Sequence, residues 1–506
     1  MSMEILLLVG SLLIMFSIVA SQFSARFSIP ILAVFLVVGI LAGSEGIGKI
    51  EFNNVNHAKM LGIVALSFIL FSGGLDTNYK RTRLVMWEGL TLSTIGVIVS
   101  AFVVGFFVHL ILGRNWAESF LLGAVISSTD AAAVFSILRS RNVKLKGALK
   151  PLLEFESASN DPCAAFLTIV MIQILTMPQL EFGNVMVFLL KQVIWGVGLG
   201  IGLSRLLEWV IRKLDLQYEG LYPVLTFSFV LFTYSITSLL DGNGFLAVYL
   251  LGLSLSRFEL RHKGNLIMFH DSIAWLMQAV MFTTLGLLVF PSSLMSVAFE
   301  GILVAIILFF VARPIAVFLC LTPFRMPKNE KILISWVGLR GAAPIVLATF
   351  PLSDGVKGSD FIFNIVFFVV LLSVLIQGTT ITEVARKLGL DASLEAAQEA
   401  EEAAKEEAEK AAREAIEAAE DAAKEAAEQA EKAVKAAQEA AEAAKEAAEA
   451  AEDAAELKQD LDMQDAFEED SVREAAAQRA LEQEKQAVKQ AQEPQNDAQN
   501  NAEGQQ

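Results

Sequence analysis

A run of polar residues, 154–162 (Glu-Phe-Glu-Ser-Ala-Ser-Asn-Asp-Pro), lies inside a stretch that is otherwise apolar enough to span a membrane. Each of its carboxylates, Glu154, Glu156 and Asp161, costs roughly 2.5–3.5 kcal/mol to insert at the centre of a bilayer. A chain keeps such groups where they face a water-filled cavity, bind a ligand or carry protons. A purely structural polar network would need no free carboxylate. The run therefore predicts a site for a small cation or a proton.

Helical spacing sorts these polar side chains onto two faces. Ser157 and Asp161 are separated by four residues, so they point the same way and can both ligate one small cation. Glu156 and Asn160 have the same spacing and lie on a neighbouring face. Glu154, about two turns before Asp161, can line an access funnel. One face is predicted to bind the ion, and the other to secure the helix.

Arg313 is a basic residue deep in a later apolar stretch, within Phe-Phe-Val-Ala-Arg-Pro. A guanidinium in that position needs a carboxylate partner. Glu156 is the natural candidate, which leaves Asp161 without a fixed counter-charge. An unpaired, desolvated aspartate can bind a proton or a cation but not comfortably both. That competition is the physical minimum for exchanging a cation against a proton.

Two further apolar stretches contain features that interrupt helices. Residues 127–130 (Ser-Ser-Thr-Asp) compete for backbone hydrogen bonds, and residues 338–344 (Gly-Leu-Arg-Gly-Ala-Ala-Pro) contain Gly and Pro. Broken helices at corresponding places in two halves indicate a transporter built from inverted repeats. If the breaks cross, Asp130 can offset the charge of helix N-termini and Arg340 that of C-termini. The freed carbonyl of Thr129 is then a ready cation ligand.

The composition describes a membrane domain followed by an acidic tail. The 506 residues are 54% hydrophobic with a mean hydropathy of +0.53, and the formal net charge is −17. Residues 391–506 carry about −22, so residues 1–390 carry about +5. The basic domain suits an anionic lipid bilayer, and the acidic tail argues against nucleic-acid binding. The two cysteines imply no disulfide framework, and no cofactor is expected.

Runs of about 20 apolar residues predict thirteen membrane-spanning helices. Residues 5–20 lack a basic n-region and a cleavage site, so they are interpreted as a retained first span. The turn at 241–244 separates the eighth and ninth spans. The predicted spans are 4–21, 29–44, 60–75, 87–112, 117–138, 151–177, 185–211, 221–240, 244–256, 267–290, 300–322, 332–351 and 361–383.

Lys and Arg residues in the connecting loops are strongly asymmetric. One set of alternate loops holds nineteen and the other holds four, which places the N-terminus outside and the C-terminal tail in the cytoplasm. An even number of spans would break this alternation. The sparse loops contain Lys49, Lys59, Arg114 and Lys357. The rich loops contain Arg26, Lys80, Arg81, Arg83, Arg139, Arg141, Lys144, Lys146, Lys150, Arg212, Lys213, Arg257, Arg261, Lys263, Arg325, Lys328, Lys331, Arg386 and Lys387.

The predicted domains are a transmembrane domain (1–385), a linker (386–393), a helical cytoplasmic tail (394–490) and a disordered C-terminus (491–506). The tail is rich in Ala, Glu and Lys, which are strong helix formers. Its stripe of Ala is too small to drive a strong coiled coil. It is predicted to be a solvated helix, with a docking arm for an unidentified partner as the alternative.

Three motifs together resemble those of the NhaP-type monovalent cation/proton antiporters. The run Glu156–Pro162 is similar to that family's Glu-Ser-x-x-Asn-Asp signature. Residues 128–135 (Ser-Thr-Asp-Ala-Ala-Ala-Val-Phe) resemble its fifth-helix crossover, and residues 338–342 its twelfth-helix crossover. The resemblance covers roughly residues 5–385. The residues of the first two motifs are most similar to those of the bacterial potassium/proton branch.

The resemblance implies roles for individual residues. Asp161 would be the shared proton and cation site, with Ser157, Asp130 and the Thr129 carbonyl as further ligands. Glu156 would reach the ion through water and pair with Arg313. Electrogenic relatives, which move net charge across the membrane, have a second Asp where this chain has Asn160. The Asn implies electroneutral one-for-one exchange. Similar proteins are inner-membrane homodimers in which a six-helix core slides against a fixed domain. Close relatives often carry a folded regulatory domain where this chain has its Ala/Glu/Lys tail.

The sequence therefore predicts an all-α polytopic membrane protein that exchanges potassium or sodium for protons by alternating access. A cation channel without obligatory proton coupling is the alternative. An intramembrane aspartyl protease is excluded, because it requires a Gly-x-Gly-Asp motif and a second paired Asp. Residues 241–244 (Asp-Gly-Asn-Gly) do not form that motif. No enzymatic activity is expected.

Overall fold

The computed structural model describes residues 8–19, 31–177 apart from 53 and 78, 182–258 apart from 215, 263–461, and 482, 484 and 485. The chain forms two compact units, Met1–Glu399 and Ala400–Gln506. Throughout the described residues the regular elements are helical, and β-pairing is confined to two isolated bridges.

Among the described residues, eight helices are long and apolar enough to cross a membrane, and five shorter apolar helices accompany them. Three of the long helices contain a single π-helical turn, at Leu92–Gly96, Leu308–Ala312 and Ser373–Gln377. In chain order the helices are α1 Leu8–Val19, α2 Ile31–Ala42, α3 Val55–Asp76, α4 Tyr79–Thr82, α5 Arg83–Leu112, α6 Trp116–Val125, α7 Ala131–Ser140, α8 Leu149–Thr176, α9 Phe182–Lys213, α10 Leu221–Leu239, α11 Gly244–Leu255, α12 Lys263–Leu287, α13 Pro291–Ser296, α14 Ala298–Leu321, α15 Lys328–Trp336, α16 Ala342–Ser353, α17 Ser359–Lys387 and α18 Ser393–Leu461.

Each predicted span overlaps a helix, and the fifth and twelfth overlap two helices each. The division between the eighth and ninth spans is a tight turn. Asp241 adopts a left-handed backbone conformation with φ of +58°, and the side chain of Asn243 caps α11 by accepting from the N–H of Leu246 at 3.0 Å. The molecule is a multi-pass helical membrane protein. The count of thirteen crossings and their orientation stay predictions.

Both helix breaks fall where the sequence predicts them. α6 ends at Val125, and α7 begins at Ala131 with Asp130 as its N-cap. α15 ends at Trp336, and α16 begins after Gly341. α6 packs along α8, and α16 contacts both α6 and α8. The two interrupted spans therefore flank the helix that carries the polar run.

The second unit consists of helix in its described part. α18 runs from Ser393 to Leu461, and its described side chains from 402 to 454 are all exposed. Ion pairs four residues apart, such as Lys432 with Glu428 at 2.9 Å, support this solvated helix. Apart from 482, 484 and 485, the predicted tail beyond residue 461 and the predicted disordered end lie outside the described residues.

Small residues allow the helices to approach closely, as in other membrane bundles. On α9, a Cβ added to Gly200 would lie 2.7 Å from the carbonyl oxygen of Ala247 and 2.9 Å from the Cβ of Leu250, both on α11. One half-turn further on, a Cβ added to Gly202 would meet nothing within 4 Å. The two glycines of one helix thus have opposite environments.

We expect Gly200→Ala to destabilise the protein and Gly202→Ala to leave it unchanged or more stable. At residue 200 the added methyl forces α9 and α11 apart, at a cost of about 1–3 kcal/mol. At residue 202 the same change only raises helix propensity, by about 1 kcal/mol. Thermal unfolding of the detergent-solubilised variants measures both. Equal melting temperatures for the two would contradict this packing.

Candidate functional site

The unbroken helix α8 carries the polar run through the protein interior. Glu156 and Asn160 are each only 1% exposed, Ser157 and Asp161 are half-buried, and Glu154 is exposed. Glu154 also lies 3.6 Å from Lys150, one turn earlier on the same helix. The run therefore presents different side chains to the core and to a cavity, as its helical spacing predicts.

Ser157 and Asn160 close the break between α6 and α7. The Ser157 hydroxyl donates to the carbonyl of Thr129 and accepts from the N–H of Ala131, both at 2.8 Å. The Asn160 amide donates to the hydroxyl of Thr129 at 2.5 Å and accepts from the Thr129 N–H at 3.3 Å. Backbone groups freed by the break thus find partners on α8.

Asp161 lies on the wall of a cavity of about 300 Å³. Its carboxylate accepts a hydrogen bond from the hydroxyl of Ser128. In the described part of the chain, Asp161 forms no ion pair with Lys, Arg or His. The same cavity is lined by Thr129, Asp130 and Ser157. The structure thus brings the predicted ligand set together around one carboxylate that has no fixed counter-charge.

The rest of the cavity is acidic. Glu154 lines it as the predicted funnel residue, and so do Asp76 at the end of α3 and Asp271 on α12. Asp271 accepts a hydrogen bond from the Ser72 hydroxyl at 2.6 Å. Arg139 is the one cation among the described lining residues. A cavity with this balance of charges attracts cations toward Asp161.

Glu156 and Arg313 form the predicted ion pair. Nη1 and Nη2 of Arg313 donate to the two carboxylate oxygens at 2.6 and 2.9 Å, and both residues are buried. Arg313 Nη2 also lies 3.4 Å from the carbonyl of Ile334 on α15. Gly338 leaves room for the guanidinium, since a Cβ there would be 2.8 Å from Arg313 Nε. The bidentate pair joins α8 to α14 and neutralises Glu156.

The two breaks contact each other through a backbone hydrogen bond and through the guanidinium of Arg340. Arg340, 1% exposed, donates from Nη1 to the carbonyls of Ser127 and Ser128, each at 2.6 Å. The N–H of Asp130 donates to the carbonyl of Leu339 at 2.7 Å. The Arg340 guanidinium therefore offsets the charge at the C-terminal end of α6, which is the position that the sequence predicts for Arg340.

Asp130 has the complementary position at a helix N-terminus. Its carboxylate accepts from the N–H of Ala133 at 3.0 Å and caps α7. Gly341 lies directly against this carboxylate, and any Cβ at residue 341 would overlap it. The predicted role of Asp130 at an N-terminus agrees with this geometry.

Several supporting contacts are not predicted by the sequence reasoning. Ser373 accepts from the N–H of Arg340 at 2.9 Å and donates to Gln377 at 2.6 Å, and Gln377 donates to the carbonyl of Trp336 at 3.0 Å. This network comes from the π-helical turn of α17, and it provides hydrogen-bond partners for the backbone groups that the second break frees. The spacing of Ser373 and Gln377, four residues apart in an apolar span, is the signal that could have indicated it.

A second set of unpredicted contacts holds α8 against α11. The Asn243 amide donates to the carbonyl of Pro162 at 2.9 Å, and the Ser159 hydroxyl donates to Tyr249 at 3.1 Å. The sequence also gives no separate role to Ser128, the partner of Asp161, although it belongs to the Ser-Ser-Thr-Asp motif. Neither motif nor spacing identifies which neighbouring hydroxyl faces the carboxylate.

A multi-pass helical bundle with two contacting breaks beside an intramembrane carboxylate defines the class of secondary cation transporters. Comparison with known proteins agrees. Residues 11–387 match the family described as sodium/hydrogen exchanger, transmembrane. The chain belongs to the sodium/hydrogen exchanger family, and it is a monovalent cation/proton antiporter of the membrane.

Relatives share the membrane domain at substantial identity. The chain is 42% identical over 398 residues to the K⁺/H⁺ antiporter NhaP of Alkalimonas amylolytica, covering 79% of this chain and 69% of that protein. It is 40% identical over 382 residues to the K⁺/H⁺ antiporter NhaP2 of Shewanella sp. strain ANA-3, covering 75% and 66%. The match thus spans about two thirds of the length of these relatives.

A solved structure shows the same fold. The sodium proton antiporter MjNhaP1 from Methanocaldococcus jannaschii superimposes with a TM-score of 0.68 at 23% identity. The superposition covers 77% of this chain and 99% of that one. The membrane domain of this chain therefore has the architecture of that antiporter.

We expect Arg313→Ala to lower the yield of folded protein sharply, because it leaves the Glu156 carboxylate buried without a partner. Breaking one side of a buried ion pair costs about 3–5 kcal/mol. The double variant Glu156→Gln with Arg313→Ala should recover part of that loss, because the uncompensated charge is then gone. Size-exclusion yield and thermal unfolding of the three variants measure the coupling. Normal yield of Arg313→Ala would dismiss the pair as a stabilising contact.

Proposed function

We propose that this protein exchanges one potassium ion for one proton, at Asp161, by alternating access. The observation that carries the proposal is that the intramembrane carboxylates have different partners. Arg313 neutralises Glu156, and Asp130 caps a helix, whereas Asp161 faces the cavity without an ion-pair partner among the described residues. Asp161 is thus the carboxylate that can bind a proton and a cation in turn.

The exchange cycle follows from this single charge. Asp161 is neutral when it carries a proton and neutral again when it carries one monovalent cation. Moving an uncompensated carboxylate through the protein interior is costly, so only the two neutral forms change access. One proton therefore crosses for each cation in the opposite direction, and the gradients set the direction of net exchange.

Oxygen ligands for the cation surround Asp161. We propose that Asp161, the Asp130 carboxylate, the Ser157 hydroxyl and the Thr129 carbonyl supply them, and that Glu156 reaches the cation only through water. The Ser157 hydroxyl donates to the Thr129 carbonyl. Each keeps a further lone pair for a ligand. Asn160 and Arg340 hold the break that presents these groups.

The preference for potassium is supported by the relatives at 40–42% identity, both of which are named K⁺/H⁺ antiporters. Hydroxyl, carbonyl and carboxylate oxygens also suit sodium, and a relative from Aphanothece halophytica at 28% identity is named a Na⁺/H⁺ antiporter. We further propose a homodimer in a bacterial inner membrane, with the N-terminus outside and the tail cytoplasmic. The asymmetry of Lys and Arg in the loops supports that orientation.

We expect Asp161→Asn to abolish exchange in a protein that still folds, because an amide cannot alternate between proton and cation. A pH-sensitive dye in everted vesicles reports dequenching on addition of potassium or sodium, tested separately. Asp241→Asn is the matched control, since Asp241 lies in an exposed turn paired with Lys191. Full exchange by well-expressed Asp161→Asn would refute the site. Dequenching by sodium alone would reassign the cation.

We expect exchange without net current, because Asn160 leaves the site a single exchangeable charge. On a solid-supported membrane, a potassium jump should produce no sustained current from proteoliposomes whose dye signal shows proton movement. A sustained current that scales with the gradient and needs no proton movement would instead indicate a channel. A current coupled to proton movement would contradict only the one-for-one stoichiometry.

A further inference from the structure

The hydroxyl that binds Asp161 is not one of the proposed ligands. Ser128 lies in the break between α6 and α7, is 1% exposed, and lines the cavity. Its hydroxyl donates to the Asp161 carboxylate. The function proposed above gives this residue no task, although it makes the direct side-chain contact with the exchangeable carboxylate.

The neighbouring hydroxyls are committed elsewhere. Ser127 donates to the carbonyl of Ala124 at 2.6 Å. Thr129 accepts from Asn160, and Ser157 bridges two backbone groups across the break. In this structure each of these hydroxyls bonds a group other than Asp161. Ser128 is different, because its partner is the group whose charge state changes during exchange.

The backbone of Ser128 is held while its hydroxyl can turn. Arg340 binds the carbonyls of both Ser127 and Ser128, which fixes the main chain beside the cavity. A serine hydroxyl carries one donor and two acceptor lone pairs, and it rotates to suit its partner. The same oxygen can therefore donate to a bare carboxylate and, after rotation, present a lone pair to a bound cation.

We propose that Ser128 is a specificity-determining residue that sets the balance between proton and cation at Asp161. This inference rests on the exchange proposed above. In the empty site the hydroxyl stabilises ionised Asp161 through a charge-assisted bond, which a proton must displace. In the cation-bound site it turns and adds one oxygen to the ligand shell. Because the bond in the empty site is lost when either ion binds, the added oxygen is what favours the cation over the proton.

The charges around Asp161 are unchanged by substitution of Ser128. Asp130 faces it from the break and, across the cavity, the charged side chains belong to α3, α7, α8 and α12. The Glu156–Arg313 pair and Arg340 complete the surroundings. The charged cavity residues are Asp76, Arg139, Glu154 and Asp271. A change in pH dependence on removing the neutral hydroxyl therefore reports the hydrogen bond itself.

The test compares Ser128→Ala and Ser128→Thr with wild type and with Ser127→Ala, a buried hydroxyl of the same break that does not face Asp161. Exchange in proteoliposomes is measured against potassium concentration at several pH values. For Ser128→Ala we expect the apparent KM for potassium to rise about tenfold, the size of losing one hydrogen bond to a charged group. The acid limb of the pH profile should move to higher pH by about one unit.

Ser128→Thr should restore both values, and Ser127→Ala should match wild type. Unchanged KM and pH profile in folded Ser128→Ala would overturn the inference, as would equal effects of Ser127→Ala. If Ser128→Ala does not fold, Ser128→Cys decides: its weak S–H donor should give intermediate values, and wild-type values would overturn the inference. Wild type without exchange, or active Asp161→Asn, would instead refute the proposed function.

Discussion

The contact between two helix breaks is the constraint on which the rest of this structure depends. Breaking a helix inside a membrane protein frees backbone groups that lipid cannot satisfy. Here each break is satisfied by the other and by intact neighbours: Arg340 binds the carbonyls of Ser127 and Ser128, and the Asp130 N–H reaches Leu339. Because these partners are fixed, the freed oxygens form an ordered wall beside α8 instead of a disordered gap.

That wall allows neighbouring carboxylates on one helix to have different tasks. Glu156 points into the core and is neutralised by Arg313, so it behaves as part of the scaffold. Asp161, five residues further along, faces a cavity and a rotatable hydroxyl. Exchange of one ion for another requires a carboxylate such as Asp161, which faces the cavity and has no ion-pair partner among the described residues. A carboxylate that stabilises the fold and one that serves exchange thus lie within two turns of the same helix.

Much of this arrangement is predictable from sequence because burying charge is costly. Arg313 and Glu156 could be paired in advance, since each is a deep charge that needs a partner, and the breaks could be placed from Ser-Ser-Thr-Asp and from Gly and Pro. The contacts of Ser128 and Gln377 could not be predicted in this way. A neutral hydroxyl or amide finds partners within hydrogen-bond reach, and that reach depends on how helices distant in sequence are rotated against each other.

The contact of Gly341 with the Asp130 carboxylate has a consequence for how this chain can change. A side chain at residue 341 has no space while Asp130 caps α7, and a residue at 130 without a side-chain acceptor would leave that cap unmade. The two positions are 211 residues apart in sequence yet constrain one another directly. Substitution of Gly341 is therefore blocked while Asp130 keeps this position, so a change at residue 130 must come before it or together with it.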